Sequence, residues 1–230
     1  TVIPKYTHNW YSGYLNITKD KAIHYVYQES QNDRDNDPLI LWVSGGPGCS
    51  SLFTMLYEVG AFKFLTPGVP SFNVTPLAWN MKANLLFMET PGAVGFSTGP
   101  TNSSDDEATY DHLLALTAFL ARFPTQRKND LYLAGHGYAG ILAPMLGKAI
   151  SIRNQNPFYL KINFKGNSRC YLGLLLGNPC TDPSECYVGK NYKNSAAHYE
   201  YLFNHAFMTD QHWNQFRGAC SIGYDSDICV

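Results

Sequence analysis

Short apolar runs, separated by polar and mixed segments, recur along most of the chain. Residues 11–17 and 22–29 are rich in β-forming side chains and flank a polar turn, so they predict two neighbouring strands. Apolar runs that lack alternation predict strands buried on both faces. Four such runs are present: Pro38–Val43, Ala83–Met88, Asp130–Ala134 and Tyr171–Leu176.

Segments with helical signals lie between and after these strands. Acidic residues 105–107 follow the candidate N-caps Ser103 and Ser104, and Pro124 ends the pattern, which predicts a helix over Asp105–Phe123. Strands that alternate with helices predict the α/β class, with a twisted, mostly parallel sheet flanked by helices. The other predicted helices cover Leu52–Val59, a segment ending near Arg153, 187–203 and 209–217.

Composition narrows the class of protein. Of the 230 residues, 45% are hydrophobic and only 15% are charged, which favours a well-packed globule over a disordered chain. The net charge of −1, without a basic block, predicts no binding to nucleic acid or to an anionic membrane. The apolar runs are too short to span a bilayer. Thr1–Trp10 lacks the apolar core of a signal peptide, so a mature form or a fragment is expected.

Six cysteines bear on the compartment. No Cys-x-x-Cys pair or Cys/His spacing suggests zinc, and no metal or other cofactor is expected. We therefore expect disulfides, among 15 possible pairings, and a protein that is secreted or held in an oxidising lumen such as the lysosome or vacuole. Glycosylation sequons at Asn16, Asn73 and Asn102 support secretion only weakly. The cysteines are Cys49, Cys170, Cys180, Cys186, Cys220 and Cys229.

Four segments place loops rich in glycine or proline after predicted strands. Because open α/β sheets form their sites at the carboxyl ends of strands, these loops are the candidate functional region. The stretch LYLAGHGYAG (131–140) has the strand, sharp turn and helix that expose a hydrolase nucleophile, but Gly137 occupies the tip, where Ser, Cys or Asp is expected. The segments are LILWVSGGPGCSSL (39–52), WNMKANLLFMETPGAVGFS (79–97), NDLYLAGHGYAG (129–140) and GLLLGNPCTDP (173–183).

Together these segments resemble the serine carboxypeptidases, a branch of the α/β-hydrolases, from about Tyr11 to Phe216. The run G-G-P-G-C-S-S is the most specific part of the resemblance. The family implies a twisted sheet with a helical cap inserted late, so the C-terminal helices are expected to lead into a cap region. It also implies a serine nucleophile in G-E-S-Y-A-G, with an oxyanion hole formed by the N–H groups of Gly46 and Tyr138. The triad Asp and His lie late in family chains, so a single domain over 1–230 is expected to lack the segment that carries them.

The sequence departs from the family pattern at the positions that carry the chemistry. Gly137 stands where the family has the nucleophile serine, His136 where it has Glu, and Ser44 where it has Asn. His136 and Ser44, together with Glu58, correspond to the family's clamp for the terminal carboxylate of a peptide. Of that clamp, Glu58 alone is kept. The family order Ala-Gly is also reversed at positions 92–93.

Loss of the nucleophile with retention of the scaffold favours a catalytically inactive homologue with a structural or binding role. The alternative is a serine carboxypeptidase, or related acyltransferase, whose nucleophile was mutated or whose second chain, joined through Cys49, is absent. A third hypothesis is that the residual pocket binds a small ligand or a peptide C-terminus without reaction, through the N–H groups of Gly46 and Tyr138 and through Glu58. Three altered site positions favour natural divergence over an engineered change. Ser44, Ser50 and Ser51 are weak candidates for a substitute nucleophile, because the sequence shows no general base near them.

Overall fold

The computed structural model of the protein describes residues 8–64, 72–100, 103–165, 173–182 and 200–220. Its strands are β1 (Trp10–Asn16), β2 (Ala22–Gln28), β3 (Leu39–Val43), β4 (Phe62–Phe64), β5 (Phe72–Val74), β6 (Asn84–Met88), β7 (Leu131–His136) and β8 (Leu174–Gly177). Its helices are α1 (Ser51–Tyr57), α2 (Asp105–Arg122), α3 (Ala139–Gln155) and α4 (Asp210–Cys220). Short 3-10 helices cover Trp79–Met81 and Pro124–Arg127.

In the described part of the chain, six strands form one sheet in the order β1-β2-β6-β3-β7-β8. Strands β6, β3, β7 and β8 are parallel to one another, whereas β1 and β2 form an antiparallel edge. The chain enters the sheet centre at β3 and then adds β6 on one side and β7 on the other, so the strand order reverses at β3. Strands β4 and β5 form a separate antiparallel pair. The predicted α/β fold, with a mostly parallel sheet flanked by helices, is confirmed.

The central strand β3 is buried on both faces, as its uninterrupted apolar run predicts. Leu39, Leu41 and Val43 join the core cluster that packs against α2 and α3. The alternate residues Ile40 and Trp42 join the cluster that includes α1. Helices α2 and α3 therefore cover one face of the sheet and α1 covers the other. Removing each such leucine or isoleucine from water stabilises the fold by about 2 kcal/mol.

Helix α2 begins and ends where its sequence signals predict. Ser104 Oγ accepts a hydrogen bond from Glu107 N (3.2 Å), and Ser104 N donates to Glu107 Oε2 (3.0 Å), which is a complete capping box. The carboxylates of the first turn lie at the positive end of the helix dipole. The helix ends at Arg122, because Pro124 cannot continue its hydrogen-bond ladder.

Most predicted elements agree with the structure to within a few residues. Strand β8 begins at Leu174, because Gly173 lies in a turn; residues 171–172 of the predicted strand lie outside the described residues. Most of the helix predicted over 187–203 also lies outside them, although residues 200–204 are helical. The sequence pattern does not predict the β4–β5 pair, because strands of three residues are too short to show a period.

The chain divides into two compact units, Thr1–Pro179 and Cys180–Val230. The first unit contains the sheet with α1, α2 and α3. In the described residues, the second unit contains the helical residues 200–204 and α4. A single domain over 1–230, ending in a cap region, stays a prediction. None of the described helices combines the length and apolar character needed to cross a membrane.

Candidate active site

Three loops meet at the carboxyl ends of the neighbouring parallel strands β6, β3 and β7. They are the loop after β3 (44–50), the loop after β6 (89–99) and the turn between β7 and α3 (137–138). Because the strand order reverses at β3, this edge is where an open α/β sheet forms a site. The structure thus brings together the loops of three sequence segments. The fourth segment contains β8, which pairs with β7.

The turn at Gly137 has the backbone of an exposed strand-to-helix elbow. Gly137 has a φ of +58°, its N–H donates to Gly177 O (3.1 Å), and its carbonyl accepts from Gly140 N (3.0 Å). Helix α3 begins two residues later, at Ala139. Apart from its chain neighbours, a Cβ at position 137 would have no heavy atom within 4 Å. The tip of the turn is therefore open, and glycine adopts its left-handed backbone without strain.

The glycine-rich loop lies directly against this turn. A Cβ at Gly45 would lie 2.5 Å from His136 O and 3.1 Å from Tyr138 N, so only glycine permits so close an approach. The next residue, Gly46, has a φ of +115°, and Cys49 N–H closes the loop by donating to Gly45 O (3.2 Å). Gly46 and Tyr138, the oxyanion donors that the family resemblance implies, therefore lie on adjoining segments at the same edge of the sheet.

Tyr138 also connects the turn to α2. It precedes α3 with helical backbone angles, φ −62° and ψ −15°. Its hydroxyl donates to Asp105 Oδ2 (2.8 Å), in the first turn of α2. One side chain thus links the starts of the two helices that cover the same face of the sheet.

The three residues that the family resemblance assigns to a carboxylate clamp differ in their surroundings. Ser44 is only 8% exposed, and its Oγ has no hydrogen-bond partner among the described residues. His136 is exposed, with its ring 5.9 Å from that of Trp42, and no described carboxylate lies within salt-bridge distance of it. Glu58 is exposed at the C-cap of α1. Within the described ranges, no hydrogen bond or ion pair joins these three side chains.

A buried carboxylate, which the sequence motifs do not reveal, holds two of the loops together. Glu89 is fully buried after β6, and it accepts hydrogen bonds from Ser50 Oγ and from Phe96 N (2.8 Å). It also shares a hydrogen bond with His24 Nδ1 (3.0 Å). The loop after β6 is thereby attached to the glycine-rich loop. The signal in the sequence is a carboxylate directly after a buried apolar run, because such a charge needs partners when it is buried.

Glu89 also lies next to Ser50, one of the three serines considered as a substitute nucleophile. The expectation that no base lies near them is wrong for Ser50, because its hydroxyl donates to Glu89 Oε1. The same Ser50 Oγ caps α1 by accepting a hydrogen bond from Leu52 N (3.2 Å). A hydroxyl held between a helix cap and a buried carboxylate with two other partners has the contacts of a structural link. The hydroxyls of Ser44 and Ser51 are buried without a described partner.

The reversed residue order at 92–93 affects the backbone. Ala93 has a φ of +67°, in the left-handed region that costs a residue with a side chain about 1–2 kcal/mol. The family order would place glycine at this position, where that cost disappears. The loop after β6 therefore has a left-handed backbone at a residue that carries a side chain.

Cys49 lies in the glycine-rich loop itself, whereas the sequon residues Asn16 and Asn73 lie outside the three loops of the site. Cys49 is exposed and free, whereas Cys180 is disulfide-bonded. Asn16 and Asn73 are exposed, and Asn102 lies outside the described residues. No group of three or more His, Cys, Asp or Glu residues in the described ranges could hold a metal ion. Four cysteine side chains are not among those described: Cys170, Cys186, Cys220 and Cys229.

The reversal of strand order at β3 and the strand–turn–helix at Gly137 define an α/β-hydrolase fold. The fold is similar to the crystal structure of a prohormone-processing carboxypeptidase from Saccharomyces cerevisiae, with a TM-score of 0.70 and 21% identity over 93% of this chain and 47% of that chain. A sequence model described as serine carboxypeptidase matches residues 4–228. The chain therefore belongs to the serine carboxypeptidase family.

Individual relatives agree with this assignment. Serine carboxypeptidase-like 32 of Arabidopsis thaliana is 34% identical over 233 residues, which is 97% of this chain and 47% of that protein. The lysosomal protective protein of Mus musculus is 44% identical over 139 residues, which is 59% of this chain and 29% of that protein. The chain thus spans about half the length of the Arabidopsis relative. The family membership expected from the sequence motifs is confirmed.

Proposed function

We propose that this serine-carboxypeptidase-like chain does not hydrolyse peptides and acts instead as a structural or binding protein. The observation that carries the proposal is Gly137, at the open tip of the β7–α3 turn. Its left-handed backbone and its free surroundings suit a nucleophile, but glycine has no atom that can attack a carbonyl. Removing a nucleophilic serine lowers kcat on the order of 10⁶-fold in an enzyme of this chemical type.

The proposed oxyanion donors would not compensate for this loss. We assign Gly46 N–H and Tyr138 N–H to that role, supported by the contact between the glycine-rich loop and the turn. Such donors stabilise a negative charge that develops when a nucleophile adds to the carbonyl. Without the nucleophile they can bind a carbonyl or carboxylate oxygen but cannot form the acyl intermediate.

A residual peptide-binding function is the second candidate. Two observations favour it: the buried Ser44 Oγ and the buried Trp42 Nε1 have no hydrogen-bond partner among the described residues. Trp42 lies near the end of β3, with its ring 5.9 Å from that of the exposed His136, and Ser44 directly follows the strand. A terminal carboxylate would supply acceptors for such donors. The proposed ligand is therefore the C-terminus of a peptide, bound without reaction at the former clamp of Ser44, Glu58 and His136.

A fluorophosphonate probe, read by intact mass, tests the loss of catalysis. The purified chain should remain unlabelled, because the probe reacts with an activated serine hydroxyl. An added mass of one probe group, at Ser50 beside Glu89 or at any other serine, would contradict the proposal. A serine codon at position 137 in the gene of origin would favour the alternative, in which an active carboxypeptidase or acyltransferase was mutated at its nucleophile.

Calorimetry with a blocked peptide acid and its C-terminal amide tests the second candidate. The acid should bind at least about tenfold more tightly than the amide, because charge-assisted hydrogen bonds are about twice as strong as neutral ones. Ser44→Ala should weaken binding of the acid, whereas Ser103→Ala, at an exposed position before α2, serves as the matched control. Equal binding of acid and amide would exclude recognition of the carboxylate.

We also propose an oxidising compartment, namely the lysosome or vacuole or the extracellular space. The six cysteines and the disulfide-bonded Cys180 support it, as does the lysosomal name of the mouse relative. The exposed thiol of Cys49 is the proposed point of attachment for a second chain or another protein partner. Intact mass with and without reductant tests these points, since it counts disulfides, glycans and attached chains. A single reduced, unmodified mass in both conditions would contradict them.

A further inference from the structure

A cavity lies at the opposite end of strand β7 from the Gly137 turn. It is a cavity of about 200 Å³ between the second half of α2, the Pro124–Arg127 turn and the segment that follows α3. Leu131 N–H, at the start of β7, donates to Asn163 O (2.8 Å), directly beside the cavity residue Ile162. The cavity is therefore separated from the Gly137 turn by the length of β7, roughly 20 Å at 3.3 Å per residue. It is not part of the candidate active site.

The floor and rim of this cavity are apolar. Leu120 and Ile162 form buried parts of the lining, at 7% and 4% exposure. Phe158 and Leu160 lie at the rim and are 92% and 66% exposed. Large apolar side chains that remain this exposed beside a cavity gain free energy when a ligand covers them.

Three cations surround the apolar lining. Arg127 Nε donates to Leu120 O (2.8 Å), and Arg153 Nη1 donates to Leu160 O (2.6 Å), so carbonyl oxygens hold both guanidinium groups at the wall. Lys161 is the third cation of the lining. No described carboxylate lies within salt-bridge distance of any of the three. A carbonyl partner does not neutralise a positive charge, so among the described residues the three cations have no ion-pair partner.

The wall that carries two of these cations is held in place by side-chain hydrogen bonds. Asn154 Nδ2 donates to Ile162 O (2.8 Å), and Asn154 Oδ1 accepts from Ile162 N (2.9 Å). The Arg153 guanidinium lies 4.9 Å from the centre of the Tyr159 ring, at a distance suited to a cation–π contact. The segment after α3 is thus bonded back to the last turn of that helix, and a ligand would not have to order it.

We propose that this cavity binds a small amphiphilic monocarboxylate. Its apolar group would lie on Leu120 and Ile162, and its carboxylate would be held by Arg127, Arg153 and Lys161. The cations select an anion, because charge-assisted bonds to carboxylates are strong and directional for arginine. The volume selects the size, since about 200 Å³ is below the roughly 300–1,000 Å³ of pockets for drug-sized ligands. The ligand is therefore a free acid with one ring or one branched aliphatic group.

Calorimetric titration of the full chain with 3-phenylpropionate tests this proposal. Saturable binding of one molecule per chain is expected, with 3-phenylpropanamide and inorganic phosphate each at least about tenfold weaker. The amide keeps the apolar group and loses the charge, whereas phosphate keeps the charge and loses the apolar group. No saturable binding up to about 10 mM, or equal binding of acid and amide, would overturn the proposal.

Variants locate the site without disturbing the core. Lys161→Gln should weaken 3-phenylpropionate at least about threefold, while Lys148→Gln, also exposed but outside the cavity, should leave its affinity unchanged. Ala121→Leu, at an exposed position of the lining, should abolish binding by filling the cavity. Thermal melts of each variant report on folding. Equal losses of 3-phenylpropionate affinity in the two lysine variants would overturn the proposal. Self-association of the chain that Ala121→Leu removes would also overturn it, because a second copy of the chain would then occupy the cavity.

Discussion

Two glycines at the meeting of the glycine-rich loop and the elbow are needed for different physical reasons. Gly45 faces the backbone of His136 and Tyr138, so any Cβ there meets atoms that cannot move aside cheaply. Gly137 faces open space, and only its φ of +58° disfavours a side chain. The first position is restricted by contact and the second by backbone conformation. Such a site can therefore lose its reacting group without losing its shape.

Alanine substitutions separate these two restrictions. Gly137→Ala should lower the free energy of unfolding by about 1 kcal/mol, the cost of a left-handed backbone without a clash. Gly45→Ala should cost about 3 kcal/mol or more, because its Cβ would lie 2.5 Å from His136 O. Urea denaturation of both variants gives the two values. Equal costs, or a larger cost at 137, would contradict the described contact between the loop and the turn.

The residues of the site differ in how well the sequence predicts them. Gly46, Gly137 and Tyr138 belong to short local motifs, so their meeting at one edge follows from the strand order. Glu89 and His24 are 65 residues apart and share a hydrogen bond that no local pattern encodes. Their pairing depends on the antiparallel contact between β2 and β6, which only the folded sheet supplies.

At the scale of elements, α2 supports the turn through its first residues. Asp105 accepts the hydrogen bond of the Tyr138 hydroxyl, and Ser104 caps the helix one residue earlier. Tyr138 directly precedes α3, which has no side-chain cap of its own. The capping box of α2 and the position of the elbow are therefore structurally connected.

Removing the cap of α2 should have a measurable cost. Ser104→Ala is expected to lower the free energy of unfolding by about 1 kcal/mol, because Glu107 N loses its acceptor. Ser103→Ala removes a neighbouring exposed hydroxyl that donates only to Ser104 O (3.2 Å), and it should change stability by less than about 0.5 kcal/mol. Denaturant midpoints of the two variants provide the comparison. A loss of the same size in both would mean that the capping box does not stabilise α2.

The sequence predicts well those elements that have an uninterrupted apolar run or a capping motif of their own. The apolar runs at β3, β6 and β7 and the capped helix α2 appear in the structure nearly as predicted. The β4–β5 pair and the 3-10 helix Trp79–Met81 are set by contacts with the rest of the fold. Ala61 N, for example, donates to the buried Gln28 Oε1 (3.2 Å), 33 residues earlier in the chain. Tertiary contacts of this kind leave no period in the sequence.

At the scale of the whole molecule, one buried histidine links stability to pH. His112 is held neutral between Ala108 O, which accepts from its Nδ1 (2.7 Å), and Thr90 Oγ1, which donates to its Nε2. Burial lowers the pKa of His112 from its ordinary value of 6.5 to about 4. Between these two values the unfolded chain binds a proton that the folded chain does not, so this residue lowers stability as the pH falls.

The pH dependence should be visible in unfolding measurements. From pH 7 to pH 4, protonation of His112 in the unfolded chain should lower the free energy of unfolding by about 3 kcal/mol. His112→Gln should be less stable at pH 7, because it disturbs the contacts to Ala108 and Thr90. The free energy of unfolding of this variant should, however, lack the decrease with falling pH that His112 causes. Urea denaturation at pH 7, 6, 5 and 4 gives the difference between the two proteins. Identical slopes would contradict a neutral, buried His112.

The family assignment describes the whole chain, whereas the proposed inactivity depends on one position in it. The relatives named serine carboxypeptidases establish the scaffold, and the chain covers about half the length of the Arabidopsis protein, 47%. Our account is that the loops of the site keep their geometry while Gly137 removes the reacting atom.

Release of the C-terminal residue from N-blocked dipeptides tests this account most directly. The purified chain and Gly137→Ser should be measured side by side at several pH values, with Gly137→Ala as the control for the change in backbone strain. The account predicts release at the rate of buffer alone for the chain with glycine at position 137. Release that is proportional to the concentration of this chain and constant through further purification would contradict it.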